Sequence, residues 1–174
     1  MLSKRVALIS MFTSLAVVGR ISLMIVPNIS LVTPFTILSA IIGGPYEGFL
    51  VGLLSMVISD LYIGIGPWTL FTSLSMGFIG FLSGILIKRM RDLTLIFIST
   101  YLLVLSYDIL TSILTMLLFN IPPLIAIINL FIPVFIGSIP YPMGPVHELS
   151  ASLITTYLIK YLRSCKYLEV YMNV

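Results

Sequence analysis

The stretch Asp60-Leu61-Tyr62-Ile63-Gly64-Ile65-Gly66-Pro67-Trp68-Thr69-Leu70-Phe71-Thr72, running on through Gly77, Gly80 and Gly84, decides how this chain is read. It holds a carboxylate, the single tryptophan and a glycine-proline break, flanked on both sides by apolar residues. Such a break marks the end of one apolar helix and the start of the next, because proline fits a first helical turn, where an amide proton has no partner to lose. Composition agrees. Of 174 residues, 59% are hydrophobic and 9% charged, with a mean hydropathy of +1.19, too little polarity to assemble a water-facing shell. The chain is expected to be an all-α integral membrane protein, one domain over 1–174, in the cell (plasma) membrane. Met1-Leu2-Ser3-Lys4-Arg5 ahead of an apolar run has the outline of a signal peptide, but equivalent runs recur along the chain, and the segment is read as a retained first membrane helix. A lone Cys165 permits neither an intrachain disulfide nor a thiolate metal cluster.

Working outward from the break, apolar segments are expected at 6–26, 31–43, 47–61, 69–88, 93–118, 124–138 and 146–164. Pro34, Pro45, Pro67 and Pro145 fall near proposed starts, and Gly43-Gly44 suits a helix end. The segments 31–43 and 47–61 are shorter than the ~20 residues of a perpendicular span, so they are expected to sit among other helices. Basic residues fix the orientation. Lys4 and Arg5, then Lys88, Arg89 and Arg91, then Lys160, Arg163 and Lys166 form three clusters that the positive-inside rule puts in the cytoplasm. With five crossings before residue 118, only one more can return the chain to the inside. The expected fold is therefore a compact six-transmembrane-helix bundle with both termini cytoplasmic. Segment 124–138, interrupted by Pro133 and followed by Pro140, Pro142 and Pro145, becomes an outer cap or re-entrant piece.

That topology sorts the polar residues. Asn28, Asp60, Trp68, Thr69, Thr72, Asn120, Tyr141, His147 and Glu148 come to the outer helix ends, and Arg20 and Asp108 to the outer half of the membrane. Intramembrane charges normally face a bundle interior or a cavity, so Arg20 is expected to pair with Asp60, Asp108 or Glu148, either beside an outward pocket or simply as a cross-link between helices. A pocket wants apolar walls and a few orienting polar groups. Trp68 and Phe71 offer flat faces, Tyr107 and Tyr141 hydroxyl-bearing ones, and Asn28, Thr72, Asp108 and His147 hydrogen-bonding groups. Trp68 serves equally well as an interfacial anchor. One histidine is too few for a metal site of the usual imidazole type, and none is expected. An intramembrane serine enzyme would need Ser83-Gly84 and His147 together, yet these fall at opposite membrane depths, and no His-Glu-x-x-His motif is present. No phosphate-binding Gly-x-x-x-x-Gly-Lys-Ser/Thr loop occurs either, so any ATP-driven step belongs to a partner.

Several short pieces carry a family resemblance when taken in order: Val17-Val18-Gly19-Arg20, Pro27-Asn28, Val32-Thr33-Pro34, Gly44-Pro45-x-x-Gly48, Gly66-Pro67-Trp68-Thr69, Gly77-x-x-Gly80-x-x-x-Gly84 and Pro142-x-x-x-x-His147. Over nearly the whole chain this resembles the S components, the substrate-binding membrane subunits, of energy-coupling factor (ECF) vitamin transporters. The resemblance implies a non-enzymatic protein that captures a vitamin or cofactor precursor on its outer side, with no resident cofactor and no nucleic-acid partner. It also implies docking in the bilayer onto a transmembrane coupling protein that carries two ABC ATPase subunits. Family members use an Ala-x-x-x-Ala pattern on the first helix for docking; Ala7, Ser10 and Ser14 are the nearest equivalents here, while Gly77, Gly80 and Gly84 are read as internal packing. In the resembling subfamily a glutamine and a second tryptophan follow Gly-Pro-Trp-Thr; Thr72 and Met76 stand in those places. Cobalamin-related and flavin-like cargoes are the two candidates. A stand-alone carrier or a membrane accessory subunit is the alternative.

Overall fold

A computed structural model describes residues 2–24, 26, 29–132, 134–136, 139–141 and 145–164, the two short strand segments by their backbone only. The described residues form seven α-helices: α1 (Leu2–Ser22), α2 (Val32–Ile42), α3 (Pro45–Ile63), α4 (Pro67–Leu86), α5 (Leu93–Leu118), α6 (Pro123–Phe131) and α7 (Pro145–Ser164). A 3-10 turn at Ile87–Arg89 extends α4. The only sheet among the described residues is an antiparallel pair, β1 (Val134–Ile136) and β2 (Ile139–Tyr141), with Val134 opposite Tyr141.

Among the described residues, four helices are long and apolar enough to cross a membrane: α1, α3, α4 with its 3-10 extension, and α5. The helices α2 and α7 differ in kind. α2 has 11 residues, of which nine are buried, so it is enclosed by protein and need not match the bilayer thickness. α7 has the length, 20 residues, but carries Glu148, Lys160 and Arg163 and packs mainly against α5 and α2.

Helix boundaries follow local chemistry. Proline stands at the start of α3, α4, α6 and α7. The Asp92 carboxylate caps α5 by accepting from the Thr94 amide at 2.8 Å. α3 stops at Gly64, whose φ of 139° is available to glycine at little steric expense and whose amide returns to the Asp60 carbonyl at 2.7 Å. One boundary needs correction. The first helix covers Leu2–Ser22 rather than 6–26, so Arg20 lies in its last turn. Within 124–138, expected to be interrupted at Pro133, the helix ends at Phe131 and strand pairing begins at Val134; proline has no amide with which to continue a helix.

α3 and α4 are the most closely packed pair, and glycines permit it. A Cβ at Gly80 would run into the Gly48 backbone carbonyl, one at Gly52 into the Met76 carbonyl, and one at Gly84 into the backbone of Pro45. Gly48/Gly52 and Gly80/Gly84 are thus paired small-x-x-x-small seams that let two backbones touch, the arrangement membrane helices use where lipid supplies no hydrophobic drive. At one end of the bundle the basic clusters are tied in. Arg5 pairs with the buried Glu47 at 3.2 Å, and Arg163 donates to the carbonyls of Met90 and Arg91, the latter at 2.8 Å. The ends of α1 and α3 and the starts of α4 and α7 lie at the opposite end.

Candidate functional site

The break between α3 and α4 is organised around one carboxylate. Asp60, 2% exposed, sits in the last turn of α3. Its Oδ1 accepts from Arg20 Nη1 at 2.7 Å, and its Oδ2 accepts from the Thr69 hydroxyl at 2.7 Å. Arg20 also donates to Ser59 Oγ and lies 3.5 Å from the Met56 carbonyl. Thr69 Oγ1 in turn accepts from the Gly66 amide at 3.3 Å, and the Thr69 amide donates to the Gly66 carbonyl at 3.0 Å. Charge-assisted hydrogen bonds are the strong kind, so this network joins α1, α3, the three-residue connection and the start of α4 into one unit. Of the three acids available to Arg20, Asp60 is the partner. Thr69 and Ser59 were not among the sequence-derived site residues; the spacing of Thr69 three residues after Gly66 at a helix start was the available signal.

A second polar pair lies between α5 and α7. His147 Nδ1 and Asp108 Oδ2 are 2.8 Å apart, each side chain 14% exposed. The carboxylate orients the ring and leaves Nε2 as its remaining hydrogen-bonding atom. Tyr107, at the preceding position of α5, is buried. Glu148 is fully buried, and neither of its carboxylate oxygens has a hydrogen-bond partner among the described residues.

The aromatic and hydroxyl candidates divide. Trp68 is 40% exposed in the first turn of α4, and its indole folds back over Gly66, where a Cβ would collide with the ring. Phe71 and Thr72 are half-buried one turn on, with the Thr72 hydroxyl bonded to the Trp68 carbonyl at 3.1 Å and so turned to its own helix. Tyr141 is in β2, described only by its backbone, and Asn28 lies outside the described residues. Tyr107 also lines a groove of about 420 Å³ between α4 and α5, walled by Phe78, Ile79, Leu82, Leu110 and Ile113 and open along the side of the bundle. Ala7, Ser10 and Ser14 are all exposed on α1 and so do not pack inside the bundle; Ser14 bonds back to the Ser10 carbonyl at 2.8 Å.

Two rival chemistries can be judged on this geometry. No group of three or more His, Cys, Asp or Glu side chains among the described residues could hold a metal ion. The serine-enzyme pairing does not form: Ser83 is buried late in α4 with its hydroxyl on the Ile79 carbonyl at 2.6 Å, whereas His147 is bound to Asp108 in the first turn of α7. The end of the bundle away from the basic clusters carries an aromatic face at Trp68, an imidazole oriented by Asp108 at His147 and the hydrogen-bonded connection between α3 and α4. Apolar and aromatic surface with a few orienting polar groups is the general make-up of a small-molecule site.

Comparison with known proteins gives one match. The family model described as ECF-type riboflavin transporter, S component, matches residues 2–164, almost the entire chain. No curated protein and no solved structure matches it. The chain therefore belongs to the ECF-type riboflavin transporter S component family: it is a multi-pass membrane protein, the non-enzymatic substrate-binding subunit of a vitamin importer that works with an ECF module.

Proposed function

We propose that this protein captures riboflavin at the end of the bundle where Trp68 and His147 lie and delivers it inward through its ECF module. The observation that carries the reading is the family match over residues 2–164, whose description names riboflavin. Of the two cargo classes suggested by the sequence, it favours the flavin. The chemistry at hand is compatible: an isoalloxazine ring wants an aromatic face, which Trp68 and Phe71 supply, and its imide edge wants a hydrogen-bonding partner, which His147 Nε2 supplies. In this reading Trp68, Phe71, Thr72, Tyr107, Asp108, Tyr141, His147 and Asn28 belong to or border the pocket. Riboflavin is cargo, and ATP is consumed only by the two ABC ATPases on the coupling protein.

The same proposal includes six crossings with both termini in the cytoplasm, which the clustering of Lys4, Arg5, Lys88, Arg89, Arg91, Lys160 and Arg163 at one end of the bundle supports. It also assigns the exposed Ala7, Ser10 and Ser14 stripe of α1 to the coupling protein, since small side chains allow close backbone approach between helices in lipid.

Two experiments test it. Purification in mild detergent from cells expressing the whole system should recover the coupling protein and ATPases, and Ser14→Leu should abolish that recovery while shifting the stability of the isolated subunit by less than about 0.5 kcal/mol. A subunit that imports riboflavin alone after reconstitution contradicts the proposal and favours a stand-alone carrier. Trp68→Ala should weaken riboflavin binding about tenfold; unchanged affinity returns Trp68 to an interfacial anchor.

A further inference from the structure

Asp60 and Arg20 look like ligand-binding charges in the sequence, but the structure engages them with each other. The Asp60 carboxylate is 2% exposed and has one oxygen on Arg20 and the other on Thr69. We propose that Asp60 is a positioning residue for cargo capture, holding the Trp68 loop in its binding geometry from the outer end of α1.

Only Gly64, Ile65 and Gly66 separate α3 from α4. Two of these three are glycines, which restrict the backbone least, so the sequence alone does not fix the direction in which α4 departs or the side to which Trp68 turns. Three restraints supply what the glycines lack. The Gly64 amide is bonded to the Asp60 carbonyl at 2.7 Å, the Thr69 hydroxyl to the Asp60 carboxylate at 2.7 Å, and the Gly66 amide to the Thr69 hydroxyl at 3.3 Å. Trp68 lies inside this closed circuit, with its indole seated over Gly66 where no side chain could fit. The circuit is anchored on α1, because Arg20 holds the second carboxylate oxygen. An aromatic face fixed before cargo arrives binds more tightly than one that must be ordered on arrival. Arg20, Asp60 and Thr69 thus act through Trp68 without needing to touch the ligand, and the helix that bears the exposed Ala7, Ser10 and Ser14 face is joined to the loop that meets the cargo.

This rests on the riboflavin reading for its affinity arm alone. Trp68 is the chain's only tryptophan, so its fluorescence reports on this loop without interference. In the purified, detergent-solubilised protein, acrylamide quenching of Trp68 is measured without ligand, and riboflavin affinity is measured separately. Thr69→Val, which keeps the shape of the side chain and removes the hydroxyl, should raise acrylamide quenching and weaken riboflavin binding about tenfold. Thr69→Ser should restore both. Arg20→Gln should also raise quenching, reporting the link to α1; should that variant fail to fold, the threonine pair still decides the matter. Wild-type quenching and affinity in a folded Thr69→Val protein would overturn the proposal. Increased quenching in Thr69→Val, reversed in Thr69→Ser, in a protein that never binds riboflavin would uphold the positioning role and reject the cargo.

Discussion

The α3–α4 side of the bundle and the α5–α7 side treat their buried acids in opposite ways. On the first, Asp60 has a partner for each oxygen, and the helices around it touch through Gly48, Gly52, Gly80 and Gly84. On the second, Glu148 is fully buried with neither oxygen bonded, and the hydroxyls of Thr100 and Thr155 are likewise without partners among the described residues. An open groove separates α4 from α5. The difference separates a carboxylate that holds the scaffold together from one that the scaffold leaves unanswered. An acid near a binding region is therefore not evidence for ligand contact until its partners are known, and on this side of the molecule Asp60 is already committed.

Substitutions can break the comparison. The largest effect is expected for Asp60→Ala, which strands the Arg20 charge and the Thr69 hydroxyl together; loss of about 3–5 kcal/mol should appear as a large fall in thermal midpoint or loss of folded protein. Gly80→Ala comes next, because its new methyl meets the Gly48 carbonyl and the α3–α4 backbones must separate; about 2 kcal/mol should be lost, read in the same thermal assay. The smallest effect has the reverse sign. Glu148→Met, close in shape and free of orphaned oxygens, should raise stability by about 1 kcal/mol. A loss on the scale of Asp60→Ala would show that Glu148 has a partner and remove the contrast between the two sides.

Much of the bundle was legible in the sequence because proline, glycine and charge mark its boundaries. The expected segments 31–43, 47–61, 69–88, 93–118 and 146–164 each fall within about two residues of α2, α3, α4 with its extension, α5 and α7. The polar ends of a membrane helix blur its limits, so the first was placed too late, starting beyond Lys4 and Arg5, which α1 includes. A short apolar run such as 124–138 satisfies helix and strand patterns alike, so the split into α6 and β1 around Pro133 could be marked in the sequence but not assigned. The site was legible in part. Topology brought Arg20, Asp60, Asp108, His147 and Glu148 to the same end, but three acids at similar depth could not be ranked for one arginine. That ranking depends on which helix faces adjoin, a tertiary property to which Thr69 and Ser59 also contribute. The exposure of Ala7, Ser10 and Ser14 was equally a matter of helix rotation.

Equilibrium titration of riboflavin against the purified protein is the decisive test of riboflavin capture. Flavin fluorescence should be quenched to saturation at one riboflavin per protein with nanomolar affinity, about −12 kcal/mol, and Trp68 emission should fall in parallel. Unquenched riboflavin at micromolar protein, with a different vitamin bound stoichiometrically by the same preparation, would contradict it.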